Sequence, residues 1–375
     1  MVPVLLLGAG KIGGAMAKLL ASSGDYDVLV GDVDGAALKR IANWAQVKTT
    51  QVDVSSAASL KELMKGRKVA ISALSFSLNA AIAQAAAEGG LSYFDLTEDV
   101  ETTKVVRRIA ENAAPGQVFM PQCGLAPGFV SIAAYDLARQ FDKLDEVRLR
   151  VGALPQFPTN ELKYNLTWST DGLINEYGNA CEAIFNGQFI KTLPLEGLEH
   201  FSLDGIDYEA FNTSGGVGTL CETLQTKVRT LDYKTIRYRG HRDLIAFLMN
   251  ELRLNSRRDV LKDILESAVP MTPQDVVLIF CTVTGMKDGR LTQLTDARKI
   301  YHGNCLGEDW GAIQITTAAS ACAAIDLMTH RPKPMRGFVK QEEITLAEFL
   351  ANRFGKYYQA MPQETGTRAP VLVRN

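Results

Sequence analysis

The chain opens with a regular succession of apolar blocks. Residues 2–7 (VPVLLL) form a continuous apolar run of strand length. A glycine-rich turn follows, then Ile12, Met16, Leu19 and Leu20 at helical spacing, with Gly24 as the stop. The alternation continues with strands over 27–32, 47–54, 67–74, 93–97 and 117–123. Helices over 34–43, 56–65, 79–88 and near 100–112 lie between them. Alternating strand and helix units of this length predict a parallel, doubly wound sheet.

The texture changes after residue 144. EVRLRVGALPQ (146–156) reads as a strand, and KYNLTWS (163–169) alternates like a half-buried strand. FIKTLPL, HFSLDGIDYEAF and KTIRYRGH add strand-like pieces, which suits a sheet with one wet face. VVLIFCTVTGM and RLTQLTDARKIYHG meet at Asp288-Gly289, a hairpin signal. Residues 310–329 form one long Ala-rich helix, and 331–375 a tail that packs back or frays. The fold class expected is α/β: an N-terminal Rossmann doubly wound parallel sheet, then an α+β domain with a mixed, largely antiparallel sheet. The expected divisions are 1–125, 126–310 and 311–375, the last packing back on the first.

Composition narrows the partners. The 375 residues carry 40 basic and 42 acidic side chains, a net charge of -2, so no basic excess drives nucleic-acid or membrane binding. No apolar run reads as a membrane span or a signal peptide. The six cysteines contain no C-x-x-C pair and the four histidines are scattered. The reading is free thiols, a cytoplasmic location and no metal site.

The strongest local signal is Gly8-Ala9-Gly10-Lys11-Ile12-Gly13. It follows a strand and opens a helix, the context that a dinucleotide-binding G-x-G-x-x-G requires. Gly8 permits the tight turn, Gly10 the approach of a pyrophosphate, and Gly13 close packing of helix on sheet. Asp32, ending the second strand, suits the ribose hydroxyls and repels a 2′-phosphate, favouring NAD over NADP, although Lys39 and Arg40 stand nearby. Asp53 and Val54 flank the adenine position. Ser72, Ala73, Leu74, Asp95, Cys123 and Pro127 fall at successive strand ends where the cofactor crosses. Pro127 and Gly128 also shape the turn between domains.

Several later segments resemble the saccharopine dehydrogenase family: YFDLTED (93–99), Gly124-Leu125-Ala126-Pro127-Gly128-Phe129, GALPQ (152–156), YNLTWS (164–169), LINEY (173–177) and TIRYRGH (235–241). The resemblance spans about residues 1–330 and implies redox chemistry between amine and imine on an amino acid. Its GALPQ segment and the TSGGVGTL run (213–220) look most like members that oxidise the ε-amine of lysine. These yield ammonia and 2-aminoadipate 6-semialdehyde, which cyclises to piperideine-6-carboxylate. Reductive condensation giving saccharopine or carboxynorspermidine is the alternative, although such members often carry an acid where Ala126 stands. A non-catalytic NAD-binding sensor is a third reading, of another class.

For lysine chemistry, Arg237 is the candidate for the α-carboxylate, against a strand arginine in a surface ion pair. His241 is the best-placed histidine for proton transfer, against a structural role. Glu98 is a second candidate base, against a loop carboxylate capping the next helix. Tyr164 and Trp168, four apart on one strand face, would wall the substrate methylenes or fill core. Asn175 and Glu176 are each candidates to bind an ammonium group, against a place on a helix surface. Gly215-Gly216-Val217-Gly218 reads as a loop at the substrate cleft. A homodimer or larger homo-oligomer is expected.

Overall fold

The computed structural model describes residues 1–359. The first domain runs β1 (Val2–Leu7), α1 (Lys11–Ser22), β2 (Tyr26–Asp32), α2 (Gly35–Ala45), β3 (Lys48–Gln51) and α3 (Ala57–Met64). It continues through β4 (Val69–Ser72), α4 (Phe76–Gly89), β5 (Ser92–Asp95), α5 (Val100–Ala110) and β6 (Val118–Met120). These strands pair in parallel in the order β6-β5-β4-β1-β2-β3. The order reverses between β1 and β4, and there a crevice opens at the strands' carboxyl ends.

The second domain contains α6 (Phe129–Ala138), β7 (Lys143–Pro155), α7 (Thr170–Gly178), β8 (Cys181–Phe185), β9 (Gln188–Thr192), β10 (Glu199–Leu203) and β11 (Ile206–Asn212). After these come α8 (Leu220–Leu224), β12 (Thr230–Tyr238), α9 (His241–Ala246), α10 (Arg258–Ala268), β13 (Asp275–Lys287), β14 (Arg290–Tyr301), and the small pair β15 (Gly303–Cys305) and β16 (Glu308–Trp310). Its main sheet has the order β10-β11-β12-β7-β13-β14, with β8 and β9 attached at β12. Only the β12–β7 pairing is parallel, so the sheet is mixed and largely antiparallel. Asp288 (φ 51°) and Gly289 (φ 74°) make the β13–β14 turn, both left-handed as a two-residue hairpin loop needs.

The chain then returns through α11 (Ala312–His330), β17 (Gly337–Phe338) and α12 (Leu346–Ala351). β17 pairs in parallel with β6, bringing the first sheet to seven strands among the described residues. Residues 360–375, part of the expected tail, lie outside the described residues. Helix α11 is wedged between the domains. It packs along α1, with the Cys322 thiol directed at Met16 O (3.8 Å), and against β13 on its other side. One continuous core therefore runs from Leu6 and Met16 through Ala318 and Ala321 to Val147 and Val277.

Two expectations need correction. Residues 163–169 are not a strand; apart from one bridge between Leu166 and Met271 they are irregular. Tyr164, Asn165, Leu166 and Thr167 are all buried, so the alternation of residue types marks no exposed face. Tyr164 and Trp168 accordingly do not share a strand face. The second concerns apolar runs: α11 is long and apolar enough to cross a bilayer by length and composition alone. It is 78% buried over its most apolar window, so that character serves the core between the domains.

The buried N-terminus of α11 has no cap of its own; Gly311 precedes it. Asp275 supplies one from β13, accepting from the backbone N–H groups of Ala312 and of Ile313 (3.0 Å). The carboxylate also complements the helix dipole. Asp275→Ala leaves those donors unpaired in the core and is expected to destabilise the protein by about 2–3 kcal/mol. Asp275→Asn should lose less. Urea denaturation measures both.

Candidate functional site

The Gly8–Gly13 turn sits at the crevice between β1 and β4. Gly8 has φ 113°, and a side chain there would strike the Ala73 carbonyl, its Cβ lying 2.7 Å from the oxygen. A Cβ on Gly13 would lie 2.0 Å from Gly8 O, so glycine is what lets α1 approach the turn. Gly10 differs: a Cβ there meets no protein atom within 4 Å. Helix α1 starts after Gly10 without a side-chain cap. Its first N–H groups thus face an open approach, as a pyrophosphate site requires. Asp32 accepts from Ala9 N–H (2.6 Å) with one carboxylate oxygen and from Asp34 N–H (2.9 Å) with the other. That fixes the carboxylate beside the glycine turn. The residues fit a dinucleotide.

A cleft of about 190 Å³ extends from this turn into the second domain. Ile12, Ala73, Leu74, Glu98 and Pro127 line its first-domain side; Trp168, Glu176, Tyr233, Thr235 and Arg237 line the other. Trp168 lies flat on α7 because Gly172 has no side chain; a Cβ there would sit 2.4 Å from the indole.

The other expected cofactor positions lie behind or beside the cleft. Lys11 is exposed at the start of α1. Asp53 is exposed and accepts from Ser55 N–H (2.9 Å); the Ser55 side chain and then that N–H lower its pKa, and Val54 is buried next to it. Ser72 is buried and donates to Asn79 Oδ1 (2.7 Å). Cys123 is buried with its thiol on Met120 O (3.0 Å), and burial drives its pKa well up, so it is no thiolate. Asp95 is a brace. It accepts from Tyr93 Oη (2.8 Å), Thr97 N–H (3.0 Å) and Gln122 N–H (2.9 Å), tying the loop after β5 to the loop after β6. Burial raises its pKa to about 6.

The charged groups of the cleft are Glu98, Glu176, Arg237 and, paired with Lys262 at its edge, Asp171; the first three are buried. Glu98 does not cap α5; Asp99 does, through Thr102 N–H (2.7 Å). Glu98 instead accepts from Asn175 Nδ2 (3.3 Å), and Asn175 is oriented by Arg258 Nη1, which donates to its Oδ1 (3.3 Å). Asn175 therefore positions Glu98 from beneath the cleft. Burial raises the Glu98 pKa to about 7. Burial raises that of Glu176 to about 8, with Arg237 opposing and the Glu98 charge adding to the rise. Among the described residues, the Glu176 carboxylate has neither a hydrogen-bond partner nor an ion pair within 4 Å. Arg237 donates from Nε to Tyr177 Oη (2.9 Å) and from Nη1 to Ile236 O (2.9 Å). Its Nη2 has no protein acceptor among the described residues.

His241 and Tyr164 do not line the cleft. His241 is fully buried, with Nδ1 2.8 Å from Leu162 O and Nε2 3.0 Å from Tyr177 Oη. Burial and the Arg237 charge push its pKa down to about 3. With both nitrogens engaged, it has no free position from which to take a substrate proton. Tyr164 stacks over Arg237, 5.0 Å from guanidinium carbon to ring centroid. The 215–218 glycine loop backs the cleft: a Cβ on Gly215 would strike Glu98 O, and one on Gly216 the Tyr233 ring, both at 2.2 Å. Sequence reasoning did not single out Tyr233 and Thr235. They precede Arg237 at steps of two on β12, a spacing that puts all three on one face.

The raised carboxyl pKa values carry a sign for stability. Glu98 and Glu176 in the folded state hold protons that the unfolded chain releases near its ordinary value of 4.5. Their contribution is complete below pH 4.5 and is lost as pH rises through 7 to 8. Glu176→Gln removes one such titration. Its stability relative to the parent should increase between pH 5 and 8, by up to ~1.4 kcal/mol per pH unit. Parallel stability profiles in urea would contradict this.

Comparison with known proteins agrees with this architecture. Residues 4–120 match the model described as Saccharopine dehydrogenase NADP binding domain, and residues 124–358 that described as Saccharopine dehydrogenase C-terminal domain. Apo saccharopine dehydrogenase (L-Glu forming) from Saccharomyces cerevisiae superposes with a TM-score of 0.73 at 16% identity, over 96% of both chains, a likeness of fold. Mitochondrial alpha-aminoadipic semialdehyde synthase of Mus musculus is 19% identical over 252 residues, 64% of this chain and 27% of that protein. The Rattus norvegicus protein of the same name is 21% identical over 195 residues, 50% of this chain and 21% of that one. The chain thus spans about a quarter of the length of these curated relatives. With both halves matched and the glycine turn, crevice and charged cleft in place, the chain belongs to the saccharopine dehydrogenase family.

Proposed function

We propose that the protein catalyses the NAD-dependent oxidation of the ε-amine of L-lysine. Water and the amine yield ammonia and 2-aminoadipate 6-semialdehyde, which closes to piperideine-6-carboxylate. The observation that carries this reading is the sequence of charges along the cleft. Arg237 lies in the second domain with Nη2 available, Glu98 at the sheet edge of the first domain, and Glu176 interacts with both. That order complements a molecule with a carboxylate at one end and an ammonium group at the other, the ammonium nearer the first domain.

The Gly8–Gly13 turn, the N-terminus of α1 and Asp32 would hold the dinucleotide. When bound, it supplies the two-electron acceptor. The chain's own contribution is to orient the amine and manage protons. An ammonium group cannot be oxidised until it loses a proton, and carboxylates with pKa values of about 7 and 8 are matched to accept one near neutrality. The same carboxyl groups then serve water attack on the imine and departure of ammonia. Trp168 and Pro127 narrow the cleft around the methylene chain and limit water.

Asp32 supports NAD over NADP, because a fixed carboxylate beside the ribose position repels a 2′-phosphate. Asp32→Asn keeps an acceptor for Ala9 N–H and removes the charge. It is expected to lower the NAD/NADP ratio of kcat/KM by about tenfold, on the order of 1.4 kcal/mol. An unchanged ratio would remove the basis for the preference.

The deciding assay is absorbance at 340 nm with NAD and L-lysine at mildly alkaline pH, together with ammonia release. The rate is expected to rise with pH through about 7–8, and Glu176→Gln to lower kcat by at least ~100-fold. Family membership favours a second reading, reductive condensation of a semialdehyde with glutamate or a diamine. Oxidation of NADH or NADPH by those pairs, with no signal from lysine, would replace the first reading by the second. Dinucleotide binding with silence in both assays would leave a sensor.

A further inference from the structure

Arg237 is the cleft-lining end of a chain of buried hydrogen bonds. Behind it lie Tyr177 and His241, both buried, with the rings of Tyr164 and Phe211 packed against the imidazole. The direction of each bond follows from donor and acceptor inventory. Leu162 O can only accept, so His241 Nδ1 carries the hydrogen. The imidazole is neutral in this setting, so Nε2 offers a lone pair and accepts from Tyr177 O–H. The Tyr177 oxygen, having donated its one hydrogen, accepts from Arg237 Nε–H. Ile236 O takes a hydrogen from Nη1. Every polar hydrogen from Leu162 to Arg237 Nε is committed, and the guanidinium cannot rotate about its stem without breaking two buried bonds.

We propose that Tyr177 and His241 are positioning residues that lock Arg237 with its Nη2 edge toward the cleft, and so make the site selective for a substrate carboxylate over the corresponding amide. This rests on the reading of Arg237 as the carboxylate-binding group. The relay has one sense only: were Nε2–H to donate to Tyr177 Oη, the tyrosine hydrogen would have no acceptor, because Arg237 Nε only donates, and Nδ1 would turn a lone pair to Leu162 O. Its task is geometric: a guanidinium held in one plane presents a fixed donor to a planar carboxylate. His241 contributes here without exchanging protons with substrate.

Two measurements test it. The first is 15N NMR of histidine-labelled protein, with the His241 signal assigned by its loss in His241→Gln. The neutral Nδ1–H tautomer is expected throughout pH 5.5–8.5, with the Nε2 resonance moving in Tyr177→Phe. An Nε2–H tautomer, or titration within that range, overturns the relay. The second is titration of the NADH-bound protein with L-lysine and with L-lysinamide, followed by tryptophan fluorescence, since Trp168 lines the cleft. Tyr177→Phe should lower the preference for lysine over lysinamide about tenfold while changing lysinamide affinity less than twofold. His241→Gln, whose amide oxygen can accept from Tyr177, should keep most of the preference. An unchanged preference in Tyr177→Phe overturns the positioning role with the substrate reading intact. Failure of lysine to bind the parent overturns the substrate reading and the proposed selectivity, while the imidazole signature still decides the relay.

Discussion

The burial of α11 on nearly every side is the constraint on which this molecule turns. A helix with apolar residues all around can be stable in a folded chain only if protein covers it on all sides. Here α1 and the β13 face supply that cover, and in doing so they hold the two sheets at one separation. The cleft is the gap left between sheets that meet over this helix. Its width therefore depends on the core, and its lining comes from loops at the carboxyl edge of one sheet and a strand of the other. The cap from Asp275 belongs to the same arrangement, since it fixes the helix start beside Ile313, itself a lining residue.

Into that gap the chain puts Glu98, Glu176 and Arg237, buried charged groups that would be more stable in water. Two carboxyls and a guanidinium cannot all be satisfied by one another, and the structure leaves the imbalance on Glu176 and on Nη2 of Arg237. Several of the polar groups around them are paired, Asn175 by Arg258, Tyr177 by His241 and Asp95 by three donors, while the buried Tyr164 hydroxyl over Arg237 has no partner among the described residues. Ionisable groups left unpaired where they line a cleft mark a candidate binding site. The cost of desolvating the centre is borne by the core around α11 and is offset when a complementary ligand arrives.

Legibility in the sequence followed the locality of the signal. The glycine turn, Asp32 and the strand–helix alternation were readable because backbone geometry confines residue choice within a few positions. Helix α6 gives little sequence signal because FVSIAAYDLA is mostly apolar, with Ser131 and Asp136 too few to outline a helical stripe. β17 contributes two residues, too few for any pattern. KYNLTWS imitates a strand since buried irregular chain also needs mixed side chains. In the site, Arg237, Glu98 and Glu176 are legible by chemical type, although the helix pattern equally allows Glu176 a place on a helix surface. Its significance lies in burial without a partner, a tertiary property. His241 shows the converse: its type proclaimed proton transfer, and its surroundings remove that role from it.

The short strand β17 has a consequence for how the molecule can be made. The first sheet ends at β6 only until residues 337 and 338 arrive from the far end of the chain, followed by Gln341, whose side-chain amide donates to Pro121 O, and Glu342, held by the Thr219 and Thr223 hydroxyls of the second domain. During synthesis the nucleotide half emerges before residues 312–342, so its outer strand edge stays open and the α1 surface that receives α11 stays bare until that later segment follows. The two halves, separable as patterns in sequence, are thus tied into one folding unit, because a segment that follows the second sheet completes the first.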